Sequence, residues 1–345
     1  MIKKPLSKFP SELRYDTVSR DWVVIATGRA RRPETFKKEK RKKKKVSKKF
    51  CPFCRLKDQE IPTLIFSHGK RVFLKNGKIP SGWTTIVIPN KYPAFFPSSE
   101  LNRQTEGGIY HKINAAGFHE VVVTRDHDRS LARFSIKEVK ELIDVYQSRY
   151  LELMKEKFVS YISIFHNHGQ EAGASIAHPH SQIITTPLVD VDLRNALVNS
   201  RKFFRKHKKC IYCIMGEWER KIKKRIVFEN RDFMVVCPFA SKSAFELIIS
   251  PKKHQPYFEK MNEKEKRKLA EAFRVAMHKL YKGLGDPAYN FYLHTAPCDG
   301  KDYSYYHWHF TILPKTSTWA GFELGARIEI STVEPEKAAQ YLRKQ

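Results

Sequence analysis

The sequence predicts an α+β protein assembled from two tandem domains, residues 1–190 and 191–345. Three observations carry that prediction. The chain has 345 residues, 41% of them hydrophobic and 12% aromatic, which is more than one hydrophobic core usually serves. Runs rich in Val, Ile, Phe and Tyr alternate with turn residues, and each half holds one long stretch of apolar residues at helical spacing. One order of elements also occurs twice with different loop lengths: Cys-x-x-Cys, strands, a histidine, a capped helix, a strand and His-x-His.

In the first half, residues 13–16 and 22–26 read as a turn and a short strand. The segment Gly28-Arg29-Ala30-Arg31-Arg32-Pro33 then places three arginines at a strand exit, where guanidinium groups can grip a phosphate through paired hydrogen bonds. Phe50-Cys51-Pro52-Phe53-Cys54 can fold as a knuckle that turns both thiolates towards one ion. Strands are expected over residues 71–74 and 83–88, the second running into the loop Pro89-Asn90-Lys91-Tyr92-Pro93. A further strand over 119–124 delivers Arg125-Asp126-His127. Ser135-x-x-Glu138 is a capping box, and the apolar stripe after it, Ile136, Val139, Leu142, Ile143, Tyr146, Tyr150 and Leu153, marks a helix covering one face of a sheet.

Residues 158–165 form the next strand, and beyond Asn167 and the glycines 169 and 173 comes His178-Pro179-His180-Ser181-Gln182. In an extended chain His178 and His180 share one face. Pro179 has a fixed φ and biases His178 towards extended backbone, which removes freedom from a pair that has to be aimed.

The second half repeats the order. Cys210-x-x-Cys213 answers Cys51-x-x-Cys54, strands over 233–236 and 245–249 lead to His254, and Asn262-x-x-Glu265 caps a helix with Leu269, Phe273, Ala276, Met277 and Leu280 on its apolar side. A strand over 290–294 follows, and His307-Trp308-His309 stands where His178-Pro179-His180 stood.

Each half thus has four candidate metal ligands: Cys51, Cys54, His127 and His178 in the first, Cys210, Cys213, His254 and His307 in the second. Thiolates and imidazoles in sets of four suit tetrahedral zinc, so two zinc ions per chain are expected. A metal at His178 would anchor the strand end that carries His180 without touching substrate. Cys237 and Cys298 are left over, and with no apolar stretch suited to a signal peptide or membrane span the chain reads as a cytoplasmic protein with reduced thiols.

The formal charge of +29 invites a nucleic-acid reading. Much of the excess sits in residues 37–49, where only Glu39, Val46 and Ser47 interrupt a Lys/Arg run, and such a block reads as a solvated loop rather than a groove. Phosphorylated small molecules are attracted by the same charge.

Taken together, Glu12-Leu13-Arg14-Tyr15-Asp16, Gly28 to Pro33, Pro89-Asn90-Lys91-Tyr92-Pro93-Ala94, Gly173-Ala174-Ser175 with His178-Pro179-His180-Ser181-Gln182, and Gly321-Phe322-Glu323-Leu324-Gly325 resemble the galactose-1-phosphate uridylyltransferase family of the histidine-triad superfamily. The resemblance runs nearly end to end. It implies two tandem histidine-triad-like domains, each an antiparallel sheet with packed helices, and a homodimer acting on nucleotide sugars and hexose 1-phosphates. It implies that His180 attacks the α-phosphorus of UDP-glucose to form a uridylyl-histidine, which galactose 1-phosphate then discharges. Gln182 would hydrogen-bond the transferring phosphoryl group, and Arg29, Asn167, Gly173 and Ser175 would hold the nucleotide phosphates. Arg32 and Glu323 would address the sugar phosphate, and Asn90 the uridine. Departures from the pattern are Cys210 and Cys213 in the second metal set, Ala174 in place of a Cys, and Glu329 in place of a hexose-binding Gln. The first of these resembles the branch that includes plant ADP-glucose phosphorylase, which implies adenylyl transfer to inorganic phosphate as the alternative reaction. A zinc-stabilised nucleic-acid-binding protein is the alternative of another class.

Overall fold

The computed structural model describes residues 11–26, 36, 47–98 and 100–345. In chain order the strands are β1 (Glu12–Tyr15), β2 (Trp22–Ile25), β3 (Leu64–Ser67), β4 (Lys70–Val72), β5 (Thr85–Pro89), β6 (Gln104–Glu106), β7 (Tyr110–Lys112) and β8 (His119–Thr124). Helix α1 (Ile136–Leu153) follows, then β9 (Tyr161–His168) and β10 (His180–Thr186). The second half opens with α2 (Val191–His207) and α3 (Ile211–Ile222), followed by β11 (Ile226–Glu229), β12 (Phe233–Val236) and β13 (Leu247–Pro251). Next come α4 (Glu263–Leu284), β14 (Tyr289–His294), β15 (His309–Pro314), α5 (Gly321–Ala326), β16 (Ile330–Ser331) and α6 (Pro335–Arg343).

Eleven of these strands make one sheet in the order β11-β12-β13-β15-β14-β9-β10-β8-β5-β3-β4. Every pairing in it is antiparallel. Read outward from the β9–β14 seam, β9, β10, β8, β5 and β3 have counterparts β14, β15, β13, β12 and β11, so the repeat in sequence is a repeat in space. The two sheets expected from the sequence are therefore fused. An edge strand leaves a row of N–H and C=O groups unpaired, and abutting the two edges pairs them. Side chains reinforce the seam, where Asn290 lies opposite Asn167 and donates to its Oδ1 at 2.7 Å and to the Ala172 carbonyl at 2.8 Å.

Helices α1 and α4 pack together over one face of this sheet and bury the largest apolar cluster. Both expected capping boxes form, Ser135 with Glu138 and Asn262 with Glu265, each satisfying two orphan N–H groups of a helix start. Phe273, Phe291 and Phe310 meet edge-to-face at centroid distances of 5.1 to 6.0 Å, and burial of each such ring contributes about 1.5–3 kcal/mol. Polar ties fix α1 on the sheet: Arg149 grips buried Glu120 of β8 with two bonds of 2.6 Å, and buried Glu141 accepts from the hydroxyls of Thr84 and Thr85. Local expectations also change, and the strands expected over 83–88, 158–165 and 245–249 run instead over Thr85–Pro89, Tyr161–His168 and Leu247–Pro251. Ile136 lies outside the buried stripe at 44% exposure, and the strand expected over 71–74 ends at Val72 because Phe73 turns to solvent, its ring under the Arg71 guanidinium.

β1, β2 and β16 form a small separate sheet in which Val23 and Ile25 pack on Ala240. Residues 27–35, which include Arg29 and Arg32, and residues 37–46 of the basic run lie outside the described residues. Among those described, no helix is long and apolar enough to cross a membrane.

Candidate active site and metal centres

Alternation along β10 sends Ser181, Ile183 and Thr185 to the helix-covered face and His180 and Gln182 to the opposite one. His178, just ahead of β10, is buried and held by its Nε2, 2.6 Å from the Thr124 carbonyl oxygen at the end of β8. A carbonyl only accepts, so Nε2 carries the proton and Nδ1 presents a lone pair. That Nδ1 lies 3.5 Å from Cys51 Sγ, 3.6 Å from Cys54 Sγ and 3.2 Å from His127 Nδ1, and Cys54 Sγ is 3.2 Å from His127 Nδ1. In the second half His307 Nε2 meets the Pro251 carbonyl at 2.9 Å and His254 Nε2 the Ser304 carbonyl at 2.7 Å. Their Nδ1 atoms face Cys213 Sγ at 3.5 and 3.4 Å.

In both sets the four ligand atoms, with Cys210 completing the second, lie within 4.8 Å of one another. Bonds of about 2.0–2.3 Å to one tetrahedral ion place its N and S ligands about 3.3–3.8 Å apart, close to these separations. The carbonyl contacts supply the outer hydrogen bonds that metal-bound imidazoles use to keep the right tautomer. Both predicted quartets therefore fit a four-coordinate metal ion, although their members are spread over more than 90 residues of chain.

His180 repeats the tautomer logic one step along the strand with the opposite nitrogen. Its Nδ1 is 2.8 Å from the His178 carbonyl oxygen, so Nδ1–H donates and Nε2 keeps the lone pair, with no hydrogen-bond partner among the described residues. Burial holds the ring's pKa below the ordinary imidazole value, and the Phe53 ring packs at 4.9 Å. A neutral imidazole with a free, oriented Nε2 is a nucleophile in waiting.

Around it, Gln182 Oε1 lies 2.7 Å from Nε2 of His119, and Asn90 Nδ2 lies 3.0 Å from the same nitrogen. The structure so brings Asn90 to Gln182 through a residue the sequence had offered only as the start of a strand. His119 and Gln182 are diagonal neighbours across β8 and β10, a relation set by register between distant segments. Asn167 sits beside the turn that ends at Gly173, where φ is +84°, a conformation that disfavours any side chain. Ser175 is exposed in the following loop. Glu323 caps its own helix by accepting from Ala320 N–H, and Glu329 pairs with Lys242 at 3.5 Å. No described contact links either acid to His180.

A cavity of about 1280 Å³ opens beside the second His-x-His, lined among others by Arg14 and Asp16 of the first half and by Tyr292, His294, His309 and Thr311 of the second. His309 mirrors His180, with Nδ1 3.3 Å from the His307 carbonyl, but Thr311 stands where Gln182 would be. Volume alone marks no chemistry, and in the first half the oriented imidazole of His180 shares its strand face with the amide of Gln182.

Residues 4–190 match the family described as galactose-1-phosphate uridyl transferase, N-terminal domain, and residues 99–345 match a domain of unknown function, DUF4921. ADP-glucose phosphorylase of Arabidopsis thaliana is 31% identical over 340 residues, covering 96% of this chain and 92% of that protein. Galactose-1-phosphate uridylyltransferase of Thermotoga maritima is 28% identical, covering 96% and 98%. The crystal structure of the Arabidopsis thaliana ADP-glucose phosphorylase with bound ADP-glucose superposes with a TM-score of 0.79 at 27% identity, covering 97% of this chain and 99% of that one.

Proposed function

The chain belongs to the galactose-1-phosphate uridyl transferase family, and on that premise we propose that His180 carries a nucleotidyl group from a nucleotide sugar to a phosphate-bearing acceptor. The observation that carries the reading is the pairing of an oriented, unprotonated His180 Nε2 with Gln182 on the same strand face.

In the first step Nε2 attacks the α-phosphorus, an N–P bond forms and the P–O bond to the sugar phosphate breaks. In the second step a phosphate oxygen of the acceptor attacks the same phosphorus and returns the electron pair to Nε2. Both leaving group and acceptor are phosphates, so little proton transfer is needed, and positioning with charge stabilisation carries the rate. Gln182 would donate to the phosphoryl oxygens. Asn167, Gly173, Ser175 and Arg29 would hold the nucleotide phosphates, Asn90 the base, and Arg32 and Glu323 the sugar phosphate. Residues 1–190 would then house the chemistry, and residues 191–345 a related domain whose own His-x-His is not used.

Zinc is the ion we assign to both Cys/His quartets, where it would cross-link distant segments and anchor the strand end that bears His180. Exposed Phe322 and Leu324 flank Glu323 and offer an apolar surface for a second copy of the chain, which supports a homodimer. Six cysteines, none of them in a disulfide, suit a cytoplasmic location.

The first reading of the substrates is UDP-glucose and hexose 1-phosphate. ADP-glucose with inorganic phosphate is the second, favoured by the 31% identity to ADP-glucose phosphorylase. Incubation with each nucleotide sugar, radiolabelled in the nucleotide and without acceptor, tests both. Acid-labile label on the protein with a matching burst of sugar 1-phosphate is expected from one of them. Absence of label from both would sink the covalent mechanism.

A further inference from the structure

Gln182 can serve a phosphoryl group only if its amide faces the right way. The N–H₂ end donates to an anionic oxygen, whereas the carbonyl end repels it, and an untethered amide visits both orientations. The structure supplies a tether. Gln182 Oε1 is 2.7 Å from His119 Nε2. At the other side of the ring, the backbone N–H of Ala94 donates to His119 Nδ1 at 3.2 Å, and a backbone N–H has no other role. A neutral imidazole that accepts at Nδ1 carries its proton on Nε2. His119 therefore donates to the Gln182 carbonyl and leaves the amide N–H₂ free of any partner among the described residues.

The seat of His119 is itself constrained. Gly117 approaches β10 so closely that a Cβ there would stand 2.1 Å from the Thr185 carbonyl oxygen, so glycine is required. Phe118 is locked to Thr185 by two bonds, N–H to Oγ1 at 2.8 Å and carbonyl to Thr185 N–H at 2.9 Å. The His119 carbonyl accepts from Asn90 N–H at 2.8 Å. Asn90 Oδ1 is engaged by Tyr92 N–H at 2.9 Å, which turns the Asn90 N–H₂ towards a ring nitrogen that is already protonated. That second amide is thus left as an unspent donor.

We propose that His119 is a positioning residue that fixes the tautomeric and rotational sense of this site, aiming the N–H₂ of Gln182 at the transferring phosphoryl group and leaving the N–H₂ of Asn90 for the nucleotide. The proposal rests on the covalent His180 mechanism above and deepens it. It needs no charge on His119.

Single-turnover labelling with the nucleotide sugar tests it in four proteins: unsubstituted, His119→Ala, Gln182→Ala and the double variant, with melting curves confirming that each is folded. His119→Ala is expected to slow labelling roughly 10-fold to 10²-fold with little change in KM, because a mis-aimed donor acts on the transition state. In the Gln182→Ala background the same change is expected to cost almost nothing further. His119→Gln, whose amide N–H can reach where Nε2–H stood, should recover part of the rate, and it keeps the test open if the alanine variant does not fold. Equal losses in both backgrounds, or no loss in the unsubstituted one, would overturn the positioning role while labelling of the unsubstituted protein leaves the mechanism standing. No label on the unsubstituted protein removes the mechanism and this proposal with it.

Discussion

Tyr146 of the long helix and Ser181 of the strand that carries His180 share a hydrogen bond of 2.6 Å with both residues buried. Ser181 points away from the proposed site, and its hydroxyl also meets His166 Nδ1 at 3.2 Å. The back of the strand is thereby fastened to α1 one residue from the proposed nucleophile. Tyr146→Phe removes the hydroxyl and leaves Ser181 with His166 alone, so a stability loss of about 1 kcal/mol is expected in denaturant melts. Labelling of His180 should slow less than it does in Gln182→Ala. An unchanged midpoint would show that the tie contributes nothing.

His180→Ala should abolish both burst and label, while Gln182→Ala should retain label but slow its formation by roughly 10²-fold, the scale for one transition-state donor. His309→Ala should label normally, since Trp308 and Thr311 replace the Pro and Gln of the first motif. Peptide mapping of the labelled protein decides it, and label on His309 would place the chemistry in the other half.

Protein purified without added metal is expected to contain two zinc ions per chain. Cys54→Ser or Cys213→Ser opens one quartet each, and elemental analysis should then give close to one ion, with a loss of thermal stability larger than the loss of chemistry per folded molecule. Retention of both ions in either variant would exclude that cysteine as a ligand.

Glu246 is buried beside Lys242, whose backbone N–H donates to its carboxylate at 2.5 Å. Burial dominates and pushes its pKa up to about 7. A carboxyl whose folded pKa lies above its unfolded value contributes stability at low pH, and that contribution is lost as pH rises through about 7. Glu246→Gln should therefore match the parent near pH 5 and be more stable near pH 8, by on the order of 2 kcal/mol. Melting temperatures at the two pH values check the sign, and a variant less stable at pH 8 would show that the ionised carboxylate is favourable in place.

Short-range rules made much of this protein legible in advance. Ser135 with Glu138 and Asn262 with Glu265 are three residues apart, so the capping boxes and the helices behind them could be read directly. The Phe73 error is of the same local kind: an apolar side chain at a strand end has no rule forcing it inward.

By itself the sequence determined which Cys and His residues make up the two quartets and that the second half repeats the first, because knuckle spacing and an internal repeat are properties of order along the chain. Only the tertiary structure decided that the two sheets are one through the Asn167–Asn290 seam, that Glu329 pairs with Lys242, and that His119 reaches Gln182 from 63 residues away. Each of these depends on the register and adjacency of segments far apart in sequence. A shift of one residue in such a register would turn His119 to the opposite face of its strand, and nothing local to His119 or to Gln182 encodes which register wins.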